Sequence, residues 1–238
     1  MSGDLLIILG VEGVLGSGIS CQNRMSNVDI LGTDMPEVTR LKQQIKYYIS
    51  CDVRNKHQIQ STVDRIPIHE YDKIILISCI GKFGVETFKS PFLEEDSLYE
   101  SVQVNLLGIS HFIISLVKKC LNQNLSTRIV VVGSAAANVG SRDVGYGISK
   151  AGLNGLVLSL SKSLASQNSV IIGVNPGIFE SEIAEKVSLD RQLQAVESTH
   201  IKRKGSVNEI INFVTYLALD APDYLTGSIL NINGGQYT

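Results

Sequence analysis

Residues 5–18 read Leu-Leu-Ile-Ile-Leu-Gly-Val-Glu-Gly-Val-Leu-Gly-Ser-Gly, five apolar residues followed by four glycines in nine positions. An uninterrupted apolar run of this length is typical of a strand buried on both faces of a sheet. Glycines after such a strand allow positive φ and close approach of the backbone to a dinucleotide pyrophosphate, which binds where the next helix begins. We therefore expect Gly10, Gly13 and Gly16 to bind the phosphates of a dinucleotide.

The same alternation of apolar run and helical stretch continues along the chain. The predicted strands are Leu5–Leu9, Val28–Leu31, Tyr47–Ser50, Lys73–Ser78, Arg128–Val132, Ser169–Val174 and Ile229–Ile232. The predicted helices cover residues 16–27, 37–45, 55–66, 94–121, 145–166 and 207–219. This order predicts an α/β fold in which a single doubly wound, Rossmann-like domain spans residues 1–238. We expect a seven-stranded parallel sheet with helices on both faces.

The composition narrows the class of protein. The chain has 238 residues, 44% of them hydrophobic, and a formal net charge of -2. It can therefore bury a sizeable core, and its charge predicts no binding of nucleic acid or of an anionic membrane. No apolar run approaches the ~18–20 residues of a membrane span. The four cysteines and four histidines are scattered, so we expect no metal site, no disulfide framework and a cytoplasmic location.

Two acidic residues follow predicted strands where the adenosine half of a dinucleotide would bind. Asp34 ends the second strand region, 24 residues after Gly10, and a carboxylate there accepts hydrogen bonds from the ribose hydroxyls. The alternative is that Asp34 only caps a helix beginning at Pro36. Asp52 and Val53 follow the third strand, within reach of the adenine edge. Because no Lys or Arg occupies positions 33, 35 or 36, we expect NAD as the cofactor rather than NADP.

Tyr146 and Lys150 form a Tyr-x-x-x-Lys pair, and Ser134 precedes the tyrosine by 12 residues. At positions i and i+4 of a helix, the phenol and the ammonium share one face. A neighbouring ammonium favours the phenolate, so we expect it to lower the pKa of Tyr146 from its ordinary value of about 10. Such a phenol can donate and accept the proton of an alcohol–carbonyl conversion.

Together these features resemble the short-chain dehydrogenase/reductase family, Tyr-x-x-x-Lys type, over nearly the whole chain. Further landmarks in the family's order are Asn105 in Val-Asn-Leu-Leu-Gly, Ser134 in Gly-Ser-Ala-Ala, Asn175-Pro176-Gly177, Asn208-Glu209-Ile210, Leu225-Thr226-Gly227 and Asn233-Gly234-Gly235. The resemblance implies that Tyr146 is the general acid/base, that Ser134 binds the substrate oxygen and that Lys150 tunes Tyr146 and binds the nicotinamide ribose. It implies that Asn105 holds a helix irregularity and a water of a proton relay. It places Gly81, Pro176, Gly177, Phe179 and Ser181 at the cofactor.

The chain departs from the family pattern at three places. Val14 replaces the middle glycine of the turn, and Ser78-Cys79-Ile80-Gly81 replaces Asn-Asn-Ala-Gly after the fourth strand, with Ser78 as a partial substitute for the lost amides. The helix that opens at Gly16 is unusually polar. These changes concern the geometry of cofactor binding rather than the type of reaction. Leu153 occupies the position where the enoyl reductase branch has its lysine, which argues against that branch.

These observations favour an NAD-dependent oxidoreductase that interconverts a secondary alcohol and a ketone, with a small molecule as substrate. One alternative is an NADPH-dependent 3-oxoacyl carrier reductase. The other is a non-catalytic dinucleotide-binding homologue, which would have no need of Ser134, Tyr146 and Lys150 together.

Two further segments carry expectations. Ala151, Gly155, Ser159 and Ser163 form a ridge of small side chains on one helix, which indicates either tight packing on its own sheet or a subunit interface. Family resemblance favours the interface, in a homodimer or homotetramer. Residues 178–205 are charged and flanked by Gly177 and Gly205, and we expect them to form a mobile lid over the substrate.

Overall fold

The computed structural model describes residues 3–22, 25, 28–35, 45–84, 95–181, 184 and 187–237, and of residues 95–97 only the backbone. Its strands are β1 Asp4–Leu9, β2 Asp29–Asp34, β3 Tyr47–Ser50, β4 Lys73–Ser78, β5 Ser126–Val132, β6 Val170–Pro176 and β7 Ile229–Ile232. All seven are parallel and form one sheet in the order β3-β2-β1-β4-β5-β6-β7. The doubly wound α/β fold expected from the sequence is confirmed.

The helices are α1 Val14–Ser20, α2 Lys56–Arg65, α3 Glu95–Val102, α4 Ile109–Leu121, α5 Ala136–Val139, α6 Val144–Leu164, α7 Leu189–Ser198 and α8 Val207–Leu219. A π-helical segment, Gln103–Gly108, joins α3 to α4. Short 3-10 turns cover Ile68–Glu70, Ala165–Gln167 and Asp223–Leu225.

Side chains of the central strand β1 alternate between two cores. Leu5, Ile7 and Leu9 pack with α2, α4 and α6 on one face of the sheet. Leu6 and Ile8 pack with α1 and α8 on the other face. Because both faces are covered, the strand reads as an unbroken apolar run rather than as an alternating one.

Several predicted boundaries were wrong. The helix expected over 16–27 is α1, which covers Val14–Ser20. The stretch expected as one helix over 94–121 is divided by the π segment. Strand β2 begins at Asp29 and runs to Asp34, three residues beyond the predicted end. The helix predicted over 37–45 falls almost entirely outside the described residues, and α5 was not predicted. The helix α7 lies in the segment 178–205, whose sequence pattern is helical and charged.

Of the described residues, a single stretch, Leu98–Leu121, is long and apolar enough to cross a membrane. Half of its most apolar window is buried inside the molecule, and its α4 portion contributes Phe112 and Leu116 to the core.

Candidate active site

A cleft of about 350 Å³ opens at the carboxyl ends of the central strands, where parallel α/β sheets bind their ligands. The predicted site residues that line it are Gly13, Gly81, Ser134, Tyr146, Lys150, Pro176, Gly177, Phe179 and Ser181. Gly10, Gly16, Asp34, Asp52, Val53 and Asn105 do not line this cleft.

Ser134 follows β5 in a turn that Asn175, in β6, holds in place. The side-chain oxygen of Asn175 accepts a hydrogen bond from the Ser134 N–H at 3.1 Å. A Cβ on Gly133 would lie 2.1 Å from that same oxygen, so only glycine fits before the serine. The Ser134 hydroxyl accepts a hydrogen bond from the Ala136 N–H at 3.1 Å. The sequence marked Asn175 as a landmark but did not predict this supporting contact.

Tyr146 lies in the first turn of α6, with only 8% of its surface exposed. Burial is the main influence on its phenol and raises the pKa of Tyr146, while a hydrogen bond with the Ser134 side chain lowers it. The net direction is upward. The expectation that Lys150 would bring the pKa of Tyr146 below its ordinary value was therefore wrong, because the removal of the phenol from water dominates and the negative charge of Asp143 adds to it.

Lys150 lies one turn further along α6, with its Nζ 5.7 Å from the centre of the Tyr146 ring. The ammonium donates hydrogen bonds to the carbonyl oxygens of Val132 at 3.2 Å and Ile80 at 3.3 Å. Burial lowers the pKa of Lys150 to about 8. The last residue of β5 and the segment after β4 thus fix this cation beside the phenol.

Asn105 lies in the π segment and is fully buried. Its amide oxygen accepts the Lys82 N–H at 2.7 Å, and its amide nitrogen donates to the Lys82 carbonyl oxygen at 2.7 Å. The π segment is the helix irregularity that the resemblance implied at this residue. The Asn105 side chain contacts the backbone beside the cleft rather than the cleft itself.

The glycine turn has one residue with a left-handed backbone, Gly10, at φ +92°. A Cβ on Gly16 would lie 2.2 Å from the Gly10 carbonyl oxygen, so α1 can start this close to β1 only with glycine there. Gly13 is exposed and lines the cleft, as does Val14. Gly10 and Gly16 therefore determine the backbone conformation of the turn, while Gly13 and Val14 are the part of the turn that lines the cleft.

Asp34 connects the end of β2 to the glycine turn. Its carboxylate accepts hydrogen bonds from the Glu12 N–H at 2.9 Å and from the Met35 N–H at 2.8 Å. The helix that Asp34 was alternatively expected to cap lies outside the described residues. The two acidic side chains, Glu12 and Asp34, both act on the pKa of Tyr48, which burial and their charges raise to about 12.

Asp52 follows β3 and is paired with Arg54. Three hydrogen bonds of 2.7–3.1 Å join the guanidinium to the carboxylate. They are the main cause of the lowered pKa of Asp52. Val53 is buried beneath the π segment, where a Cβ on Gly108 would lie 2.5 Å from its carbonyl oxygen. The Asp52 carboxylate is thus occupied by Arg54.

Ser78, the last residue of β4, does not play the role that was expected of it. The Ser78 hydroxyl is buried and has no hydrogen-bond partner among the described residues, so it does not replace the missing amides. Cys79 lines the cleft, and burial raises the pKa of its thiol to about 12. The thiol is therefore protonated near neutral pH and is a poor nucleophile.

Part of the segment 178–205 forms one wall of the cleft. Ala184, Val187, Arg191 and Ala195 line it, the last two from α7. Phe179 and Gly205 pair across the base of the segment as an isolated parallel bridge. Within the described chain, no group of three or more His, Cys, Asp or Glu side chains is placed to hold a metal ion.

Comparisons with known proteins show which family the chain resembles in sequence. The model of a family described as Enoyl-(Acyl carrier protein) reductase matches residues 24–237. The 3-oxoacyl-acyl-carrier-protein reductase FabG of Rickettsia felis is 26% identical over 244 residues, covering 99% of this chain and 98% of that protein. The same-named protein of Escherichia coli K12 is 24% identical over 243 residues, again covering 99% and 98%.

Two solved structures have the same fold. The crystal structure of gox2181 superposes with a TM-score of 0.86 at 22% identity, covering 99% of this chain and 96% of that one. A structure titled ribose-5-phosphate isomerase from Brucella melitensis 16M gives 0.87 at 18% identity, covering 99% and 93%. At such identities the likeness establishes the fold and nothing further. The family match over residues 24–237 identifies the chain as a member of the short-chain dehydrogenase/reductase family, which is a family of oxidoreductases.

Proposed function

We propose that this enzyme interconverts a secondary alcohol and a ketone by hydride transfer with NAD(H), and that Tyr146 is the general acid/base. The observation that carries the proposal is the meeting of three side chains in one cleft. Ser134 and Tyr146 line the cleft together, and the buried Lys150 ammonium lies 5.7 Å from the centre of the Tyr146 ring.

The proton steps follow from these contacts. In reduction, the Tyr146 hydroxyl donates its proton to the substrate oxygen as the carbonyl carbon gains a hydride, and the products are the alcohol and the oxidised cofactor. Ser134 donates a hydrogen bond to the same oxygen and stabilises its developing negative charge. The Lys150 ammonium stabilises the phenolate that remains, because it lies beside the ring in a water-poor site. Oxidation reverses these roles, with the phenolate accepting the hydroxyl proton.

The described residues fit a dinucleotide. The exposed Gly13 leaves room for a pyrophosphate beside the turn, and Asp34 lies at the end of the neighbouring strand for the adenosine ribose. Pro176, Gly177, Phe179 and Ser181 line the other end of the cleft, where they would hold the nicotinamide amide. When bound, the nicotinamide supplies or accepts the hydride.

Charge at the adenosine end supports NAD over NADP. The Asp34 carboxylate lies there, and the negative charges of Asp34 and Glu12 both act on the nearby Tyr48, which disfavours a 2′-phosphate. Arg54, one of two arginines that could offset them, pairs with Asp52 and also with Glu100 at 3.3 Å. The other, Arg24, lies outside the described residues.

The second candidate substrate is a 3-oxoacyl thioester, reduced with NADPH or NADH. The names of the curated relatives favour it, since these are 3-oxoacyl-acyl-carrier-protein reductases that align over nearly their whole length. An enoyl substrate, which the description of the family model suggests, fits less well because Leu153 is a buried core residue rather than a lysine. A purely non-catalytic role is disfavoured by the assembled trio of Ser134, Tyr146 and Lys150.

The experiment that tests the proposal compares the wild-type enzyme with Tyr146→Phe on acetoacetyl-coenzyme A, simple ketones, sugars, steroids and polyols, each with NAD(H) and NADP(H). Tyr146→Phe removes the transferable proton and keeps the ring, so turnover should fall at least ~100-fold while NADH affinity stays within about threefold. Tyr99→Phe, at a largely exposed position, is the matched control. A Tyr146→Phe enzyme retaining a tenth of the wild-type rate would exclude the phenol as acid/base.

We further propose that residues 178–205 close over the substrate, since part of this segment already forms a wall of the cleft. We also propose a homodimer or homotetramer and a cytoplasmic location. All four cysteines are free thiols in this structure, which suits a reducing compartment.

A further inference from the structure

A buried carboxylate outside the predicted site connects two parts of it. Asp143 is 3% exposed and immediately precedes α6. One of its oxygens accepts a hydrogen bond from the Tyr146 N–H at 2.9 Å, and the other accepts one from the Gly84 N–H at 2.7 Å. The first bond caps the helix. The second joins the helix to a backbone segment 59 residues earlier in the chain.

That segment, residues 81–84, is held at two points. Asn105 fixes Lys82 by two hydrogen bonds to its backbone, and Asp143 fixes Gly84. Between them, the ring of Phe83 lies with its centre 5.2 Å from that of Tyr146, at an interplanar angle of 65°. This is a favourable edge-to-face arrangement. Phe83 lines the cleft together with Tyr146, so the two fixed neighbours determine where one apolar wall of the cleft stands.

We propose that Asp143 is a positioning residue, which through its bond to Gly84 holds Phe83 as the apolar wall against which the substrate lies beside Tyr146. The inference rests on the proposed function and deepens it, because it predicts a ketone with an apolar substituent next to the carbonyl. An apolar group packed on Phe83 leaves the carbonyl oxygen directed to Ser134 and Tyr146.

The charge of Asp143 supplies a second, independent readout. The groups that act on the Tyr146 phenol are Ser134, whose hydrogen bond lowers its pKa, and Asp143, whose negative charge raises it in addition to burial. Lys150 lies on the same helix, and Cys79 after β4 interacts with Lys150. A neutral side chain at 143 removes one of the two causes that raise the pKa of Tyr146, which should therefore fall.

Asp143→Asn separates the two bonds. Its amide oxygen can still accept the Tyr146 N–H and cap α6, whereas its NH₂ group meets the Gly84 N–H as a second donor. We expect the Gly84 amide to exchange its hydrogen at least ~10-fold faster, and kcat for the best-turned-over ketone to fall about 10-fold with KM for NADH within twofold. Asp29→Asn is the control, because that carboxylate binds Lys46 and Tyr71 at the opposite edge of the sheet.

The Tyr146 phenol is titrated directly by NMR with ¹³Cζ-labelled tyrosine, using Tyr146→Phe to assign the signal. Its pKa should fall in Asp143→Asn and stay unchanged in Asp29→Asn. If Asp143→Asn does not fold, Asp143→Ser serves instead, since a serine caps the helix but cannot reach Gly84.

The outcomes are distinct. Wild-type exchange at Gly84 in a folded variant would overturn the proposal, as would faster exchange with unchanged kcat. Neither result touches the proposed function. If the wild-type enzyme itself turned over none of the ketones, the proposed function would fail. Two measurements, the hydrogen exchange of the Gly84 amide and the pKa of Tyr146, would still decide whether Asp143 fixes this segment.

Discussion

Asp34 shows how one side chain can serve two purposes at the adenosine end. Its carboxylate binds backbone N–H groups on both sides, one from the glycine turn and one from Met35. Each carboxylate oxygen keeps further acceptor sites, so the same group can bind ribose hydroxyls while it braces the turn. The charge of Asp34 should therefore determine which cofactor is used.

Asp34→Asn keeps the shape of the side chain, removes its charge and leaves one oxygen to accept one of the two backbone N–H bonds. Charge-assisted hydrogen bonds are worth about 1.5–3 kcal/mol each. A net penalty of about 2–3 kcal/mol against the 2′-phosphate means that wild-type enzyme should prefer NAD over NADP by roughly 30- to 150-fold in kcat/KM. The variant should lose most of this preference. The measurement is kcat/KM with each cofactor, and Asp29→Asn should leave the ratio unchanged. Equal use of both cofactors by the wild-type enzyme would show that Asp34 has only its structural role.

Among single residues, the sequence predicted those whose partners are close to them along the chain. Tyr146 and Lys150 could be paired because four positions on a helix bring two side chains to one face. Asn175 and Asp143 could not be paired with Ser134 and Gly84, because those contacts span 41 and 59 residues and exist only once the sheet has formed. The raised pKa of Tyr146 was missed for the same reason, since burial depends on the whole fold.

Two of the described helices, α7 and α8, are preceded by a serine, and only one of these serines caps its helix with its side chain. Ser206 precedes α8 and forms a capping box, in which its hydroxyl accepts the Glu209 N–H and the Glu209 carboxylate accepts the Ser206 N–H. Ser188 precedes α7 and makes no such side-chain bond. Because α8 covers one face of the sheet, the capping box supports an element on which the core depends.

Ser206→Ala should lower the free energy of unfolding by about 1 kcal/mol, the usual effect of losing a helix N-cap. Ser188→Ala, the matched control, should change it by less than about 0.5 kcal/mol. Urea unfolding followed by circular dichroism measures both. Equal losses in the two variants would show that the capping box contributes nothing specific to α8.

At the level of elements, apolar runs located all seven strands because buried parallel strands need no alternation. The same patterns failed where local geometry departs from a regular helix. A π segment is one wider turn within a helix, and the apolar pattern around Asn105 alone predicted one uninterrupted helix. The irregularity at Asn105 was expected only from the family resemblance.

For the whole molecule, the exposed face of α6 argues against one of the two interpretations of its small-residue ridge, tight packing on its own sheet. Ala151, Gly155, Ser159 and Ser163 are all exposed, so the ridge does not pack on its own sheet. Ile148 and Leu158 on the same helix are each 51% exposed. An exposed mixture of small and large apolar side chains is typical of a surface that another subunit covers.

Gly155→Leu tests this surface cleanly. A Cβ at this position has nothing within 4 Å, so the leucine fits the isolated subunit and any effect must come from a partner. We expect the wild-type protein to be a dimer or tetramer by light scattering at micromolar concentration, and the variant to be smaller. Gln60→Leu, on the exposed face of α2, should leave the mass unchanged. A monomeric wild-type protein would refute the assembly.

The π segment also limits how this chain can change in length. A π segment is a turn with one residue more than an α-helical turn, so deleting one residue between 103 and 108 would let this stretch close into a regular α-helix. The flanking helices α3 and α4 would keep their relative orientation, but the wider turn that places Asn105 against the backbone of Lys82 would be lost. A gap of a single residue would therefore release the segment after β4 without unfolding the helix around it. The number of residues in this stretch thus sets the shape of the cleft wall.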